Sequence, residues 1–140
     1  MKTMARKVRL RFVAAWCMAF VVGIVAAEPL TVDLDGLKRN AEAGDRVAQY
    51  NFGVIQETGR FGVPMDKAKA AAWYRKSADQ GYANAQYNLG VLYLHGQGVK
   101  PDREAALRWL RMAAGQNHQP AMAALQKLGV AGPKPSTAGN

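Results

Sequence analysis

Between residues 34 and 128 the apolar positions of the chain recur at intervals of three and four. Leu34, Leu37 and Ala41 make one stripe, Ala48, Phe52 and Ile55 a second, Ala85, Leu89 and Leu92 a third, and Ala121, Leu125 and Leu128 a fourth. Residues so spaced share one side of an α-helix, so each stripe is the buried face of a helix. Two alanine-rich segments alternate with these stripes, and each carries a tryptophan, Trp73 or Trp109, on the face that presents Ala70 or Ala106. Both tryptophans are assigned to the core. The punctuation agrees with this division. Thr31 or Asp33, and then Asp66 and Asp102, stand where a side-chain oxygen accepts from the unpaired amides of a helix start. Gly44 and Gly81 stop two helices, and Asn117, at the place equivalent to Gly81, also tolerates the left-handed conformation. Gly59, Gly62, Gly96 and Gly98 let the chain reverse inside two loops. The pattern predicts six helices and an all-α fold.

The helices are not independent of one another. Gly44–Ala78 and Gly81–Ala114 align with a single one-residue gap, at an offset of 37 as far as Gly59/Gly96 and 36 from Gly62/Gly98 onward. Ala48/Ala85, Gln49/Gln86, Tyr50/Tyr87, Asn51/Asn88, Gly53/Gly90, Val63/Val99, Asp66/Asp102, Trp73/Trp109 and Arg75/Arg111 are identical pairs. A fixed period of this length marks a solenoid, whose units bury a core only by stacking on each other. Gly53 and Gly90 fall mid-helix, where glycine costs about 1 kcal/mol against alanine. Repeating that cost at one register implies a close helix approach. The predicted organisation is a leader at 1–27, a lead and capping helix at 28–43, repeats at 44–80 and 81–116, a half-repeat helix at 117–128, and a disordered tail at 129–140.

Composition changes this picture mainly at the N-terminus. Residues 1–27 hold Lys2, Arg6, Lys7, Arg9 and Arg11, no acid, then the apolar run Phe12–Ala27 with small residues before Glu28. A basic start, a short apolar middle and a small-residue cut site predict a secretory signal peptide. The run is 16 residues, short of the roughly 20 that span a bilayer as a helix, so no membrane span is expected after cleavage. Removing the leader takes five positive charges from the formal +9 and leaves 14 Lys/Arg against 10 Asp/Glu. Such a mildly basic exported chain is not expected to bind nucleic acid. The single cysteine, Cys17, falls in the leader, where Trp16 replaces the small residue that a lipoprotein cleavage box needs. Disulfide and thiol chemistry are therefore excluded from the mature chain, which is expected to be periplasmic or secreted.

The run Ala-x-Ala-Gln-Tyr-Asn-Leu-Gly-Val-Leu-Tyr at 83–93, with Gly96, Gly98, Val99, Asp102, Ala106, Trp109, Ala113 and Ala114, resembles the Sel1-like repeat family, relatives of the tetratricopeptide repeats. The resemblance covers roughly residues 44–129. Repeat one departs from it at Gly59-Arg60-Phe61-Gly62, which has an extra residue, and at Gln56, which stands where repeat two has Tyr93. What the resemblance implies is a right-handed superhelix of antiparallel helix pairs that acts as an adaptor for other proteins. In bacteria, exported members are associated with envelope assemblies, polysaccharide machinery or host contact. It supplies no common catalytic residues.

The resemblance also implies that the first helix of each pair lines a concave side where partners dock. Tyr50, Asn51 and Val54 share one flank of the first helix, and Tyr87, Asn88 and Val91 repeat it. Tyrosine and asparagine there offer rigid apolar area and amides for an extended peptide. Against this, identity between units is what packing demands. On that reading the asparagines bond neighbouring backbone between repeats and the tyrosines are core. Positions that differ between units, such as Arg46 against Ala83 and Glu57 against Leu94, are better placed to give specificity, and Ala83, Asn84, Leu94 and His95 complete the candidate face. His95 reads as a helix-terminal polar residue, because zinc takes three or four ligands and His118 has no histidine or cysteine nearby in sequence. The Lys and Arg side chains of the second helices read as a solvated outer face. Neither Ser77 nor Ser136 is followed at the third position by lysine, so neither forms the Ser-x-x-Lys pair of a lactam-directed nucleophile.

The sequence thus predicts an exported all-α solenoid that binds a protein or peptide partner through its concave helix face, with no cofactor, metal or catalytic residue. The alternatives are a cell-wall or β-lactam-directed enzyme, and a structural protein that self-associates into homo-oligomers through its exposed ends.

Overall fold

A computed structural model describes residues 32–132. The leader at 1–27 and residues 133–140 of the expected tail lie outside the described residues. Six helices follow in order: α1 (Leu34–Glu42), α2 (Arg46–Thr58), α3 (Lys67–Asp79), α4 (Ala83–His95), α5 (Arg103–Gly115) and α6 (Gln119–Lys127). α1 and α3 end two residues before the expected stops at Gly44 and Gly81. Asp33, Asp66 and Asp102 cap α1, α3 and α5 by accepting from the amides of Gly36, Lys69 and Ala105 at 2.7, 2.9 and 2.9 Å. Asp45 does the same for α2, accepting from Ala48 at 2.7 Å. Asn117 takes the left-handed conformation expected of it, with φ 62°.

The pairs α2/α3 and α4/α5 are antiparallel hairpins. Arg46 at the start of α2 meets Ser77 near the end of α3, while the Asp66 amide donates to the Gln56 carbonyl at the opposite end. Gly53 and Gly90 lie in these seams. A methyl group at Gly53 would sit 2.7 Å from Tyr74 Cε1, and one at Gly90 would sit 2.9 Å from Leu110 Cγ. Only glycine allows that approach, which accounts for its twofold occurrence at one register. Gly98 serves the contact between units. With φ 68°, it passes so near α3 that a Cβ would lie 2.3 Å from the Lys67 carbonyl carbon.

Three apolar clusters follow the chain. Ala41, Ala48 and Phe52 close the N-terminal end; Ala70, Ala71, Tyr74, Ala78, Ala85, Leu89 and Leu92 join the two repeats; Leu110, Ala113, Ala114, Ala121 and Leu125 lie beneath α6. The first helices bury the expected stripes except at Leu128, which is half-buried; in α1 Ala41 is buried, while Leu34 and Leu37 are half-buried. The tryptophans require correction. Trp73 and Trp109 are half-buried, and the interior position belongs to the next residue, Tyr74 or Leu110, each 0% exposed. The phase explains it: one helical turn beyond Ala70 or Ala106 is a step of four, which lands on Tyr74 or Leu110. Trp73 instead sets its ring edge-on to Phe52 at 5.3 Å.

Polar stitching between units comes from glutamine. The Gln49 amide donates to the Ala41 carbonyl at 3.1 Å, and Gln86, only 1% exposed, donates to the Ala78 carbonyl at 3.2 Å. Gln80 and Gln116 then donate to the side-chain oxygens of Gln49 and Gln86, both at 2.8 Å. The backbone-bonding role expected of Asn51 and Asn88 thus falls to Gln49 and Gln86, whose longer side chains reach the preceding helix.

Candidate protein-interaction face

The ten residues singled out on the first helices divide into groups. Tyr50, half-buried, packs against the central cluster, with its ring 5.7 Å from that of Tyr74 and 5.2 Å from that of Tyr82. Burial, followed by the neighbouring Tyr82 hydroxyl, raises its pKa. Tyr74 donates to Glu57 Oε2 at 2.6 Å. Burial, and then that carboxylate, hold its phenol far above the usual tyrosine range, while the Asn88 side chain acts on both the Tyr50 and Tyr74 hydroxyls in the opposite sense. Asn88 is half-buried beside this tyrosine cluster, of which Tyr74 is the buried member. Asn51, its partner by register, is exposed.

A second group forms where α4 meets α6. His118 caps α6, its Nδ1 accepting from the Ala121 amide at 3.3 Å. That bond leaves the proton on Nε2, which lies 2.8 Å from Asn84 Oδ1. Asn84 in turn donates to the Tyr82 hydroxyl at 3.3 Å. Tyr87 sets its ring 5.2 Å from the His118 ring, and Ala83 packs against the same C-terminal cluster. Burial lowers the His118 pKa. Val91 and Leu94 are half-buried along α4, and His95 is exposed at its end.

At the N-terminal end of this face Asn51 is exposed and Val54 half-buried. Asn51 and Val54 line a cleft of about 540 Å³ with Val32, Leu37, Arg60 and Phe61. Phe61 is 54% exposed at φ 56°. An aromatic residue in the left-handed region is strained, and such strain persists only where its surroundings enforce it. Arg60 and Phe61 occupy the loop with the extra residue. The departure from the repeat pattern at that loop was the signal that could have placed them in the site. The interiors of α2 and α4 carry no Lys, Arg or Asp, and Glu57 and Arg46 stand near or at the ends of α2. A charge-poor, aromatic and amide-bearing surface is the composition of an interface core.

Ser77 has a structural part. It is 0% exposed, and its hydroxyl donates to the Arg46 carbonyl at 2.6 Å. This bond fastens α3 to the start of α2 and removes Ser77 from reach of any substrate. Among the described residues no group of three or more His, Cys, Asp or Glu is placed to hold a metal ion, and no helix is long and apolar enough to cross a membrane.

Antiparallel helix pairs stacked through a repeated glutamine link define a helical-repeat scaffold. The Sel1 repeat model matches residues 46–82 and 83–118, and the chain belongs to the Sel1 repeat family. An uncharacterised protein of Neisseria meningitidis is 38% identical over 95 residues, covering 68% of this chain and 20% of that protein. The crystal structure of a Sel1 repeat protein from Oxalobacter formigenes matches with a TM-score of 0.64 and 41% identity, over 66% of this chain and 26% of that one. A protective antigen present in uropathogenic Escherichia coli strains, displaying an SLR fold, matches with a TM-score of 0.62 and 41% identity, over 68% of this chain and 21% of that one. The chain spans about a fifth to a quarter of the length of these relatives. Sel1 repeat proteins generally mediate protein–protein interaction.

Proposed function

We propose that the chain is an exported adaptor that binds an extended segment of a partner protein along its first-helix side, in envelope assembly or host contact. The cleft at the N-terminal end is the principal contact. The exposed Phe61 beside Arg60, Asn51 and Val54 carries this reading: a turn closed by the Val63 amide on the Arg60 carbonyl at 3.1 Å holds it in the left-handed region, with its ring at the cleft. Asn51 supplies an amide for the partner's backbone, Val54 and Phe61 supply apolar area, and Arg60 supplies a charge at the rim. Export rests on the leader at 1–27, with cleavage before Glu28.

The test separates binding from folding. Phe61→Gly relieves the backbone strain and removes the ring, so the variant is expected to melt at or slightly above the parent temperature. Crosslinking in cells from an engineered cysteine at Asn84, with capture compared between Phe61→Gly and the parent, is expected to show capture falling about tenfold, the loss of one buried aromatic anchor. Unchanged capture would remove the cleft from the site. The mass of the exported chain is expected to begin at Glu28; retention of the leader in the cytoplasmic fraction would refute export. Turnover of a chromogenic lactam or of cell-wall fragments, abolished by a point substitution, would replace the adaptor reading with an enzymatic one.

A further inference from the structure

At the junction of the two repeats, Arg75 of α3 sits across the second unit. Its guanidinium carbon lies 5.6 Å from the centre of the Tyr93 ring and 5.3 Å from that of Trp109. One terminal N–H donates to the Tyr93 hydroxyl. The side chain is nevertheless exposed. Among the described residues the ion pairs are Lys38–Glu42, Arg39–Asp33 and Lys69–Asp66, and Arg75 belongs to none of them. A guanidinium has five N–H donors in a planar fork that fits a carboxylate in two-point contact. Here the plane is already oriented by two rings, and the rest of the fork has no acidic partner among the described residues.

This clamp is not a requirement of every unit. The register mate of Tyr93 is Gln56 in repeat one and Gly129 after repeat two, so Arg111, the mate of Arg75, meets no second tyrosine. Above Trp73, the mate of Trp109, stands the ammonium of its own helix neighbour Lys76, at 4.1 Å. Tyr93 also forms the wall of a cleft of about 590 Å³ with Val99, Lys100, Pro101 and Asp102. The Asp102 carboxylate is engaged with the Ala105 amide, and Lys100 is exposed. The surroundings are basic on balance: α3 and α5 with their capping residues carry seven Lys/Arg against Asp66, Asp79, Asp102 and Glu104. Such a field draws acidic partners toward the junction.

We propose that Arg75, clamped by Tyr93 and Trp109, is the anchor for a carboxylate of an acidic segment in a protein partner. This contact is separate from the cleft at Phe61 and stands or falls independently of it.

The probe is a labelled ten-residue peptide of alternating glutamate and glycine, acetylated and amidated, titrated into the purified chain at low salt. The same peptide with glutamine in place of glutamate is the reference. The glutamate peptide is expected to bind, and Arg75→Ala to weaken it about tenfold, the loss of one charge-assisted contact. Arg75→Lys keeps the charge but not the fork, so it is expected to weaken binding several-fold. Arg111→Ala removes an equal charge without a clamp and is expected to change affinity by less than about twofold. Phe61→Gly is expected to leave this binding unchanged. If Arg75→Ala does not fold, Arg75→Lys against Arg111→Ala decides the matter. Equal losses in the Arg75 and Arg111 variants would overturn the proposal in favour of a diffuse basic face. So would equal binding of the glutamine peptide, or binding of anionic vesicles or duplex DNA but not of the glutamate peptide.

Discussion

Gln49 and Gln86 show how little a residue type reveals about its work. Their identity between repeats is plain in the sequence, yet a glutamine within a helix reads as a surface residue until its neighbour is in place. The acceptor lies on the preceding helix, eight residues back. Gln86→Ala removes the bonds to the Ala78 carbonyl and from Gln116 and leaves a void, so urea denaturation is expected to show a loss of about 2–3 kcal/mol. Gln116→Ala, at an exposed position, is expected to cost under about 1 kcal/mol; equal losses would show that Gln86 is not the centre of the link. His118 was legible only as a histidine without metal partners, because its role depends on the Ala121 amide and Asn84. Its lowered pKa sets a sign. The unfolded chain takes up the proton near the ordinary histidine value of 6.5 and the folded chain only below it. Stability is therefore complete above that value and lost as pH falls toward the folded pKa. His118→Asn, which keeps a capping oxygen, is expected to flatten the melting temperature between pH 7 and 5; an unchanged slope would assign the pH dependence elsewhere.

At the scale of the helix, periodicity located every element and misplaced the second-helix faces by one residue. The alanine-rich segments are apolar on several sides, so neither Trp73 nor Tyr74 was singled out by contrast with polar neighbours. Tyr74 and Leu110 are identified as interior by what they meet, the bare backbone of Gly53 and Gly90. Gly90→Ala should gain about 1 kcal/mol of helix propensity. The 2.9 Å approach to Leu110 Cγ opposes it with an overpacking cost of about 1–3 kcal/mol, so a net loss of stability is expected in chemical denaturation. Gly115→Ala, with nothing within 4 Å of the added methyl, is expected to be neutral or to gain up to about 1 kcal/mol. A stabilised Gly90→Ala would show that the α4/α5 seam can open. The loop at Gly59–Gly62 was legible as an irregularity, but the strain at Phe61 was not, since one extra residue can be absorbed in several ways.

Across the whole molecule the period announced the stack, and the two faces differ in kind. The first helices are nearly uncharged in their interiors, and the second helices, α3 and α5, hold seven Lys/Arg. What the period hid is whatever crosses from one unit to the next. Arg75 meets Tyr93 and Trp109 only because α3, α4 and α5 come together, and their sequence separation gives no local signal.

The glutamine link also gives the stack a direction. Each unit grips the one before it, through Gln49 and then Gln86, and the next position in this series is Met122, which cannot donate. The array is thus a sentence with a full stop. A further copy of residues 81–116 spliced between Gln116 and Asn117 brings its own glutamine to the Ala114 carbonyl and should raise the melting temperature. The same copy fused after Lys127 would follow a helix that has no such grip. It should add length without adding stability.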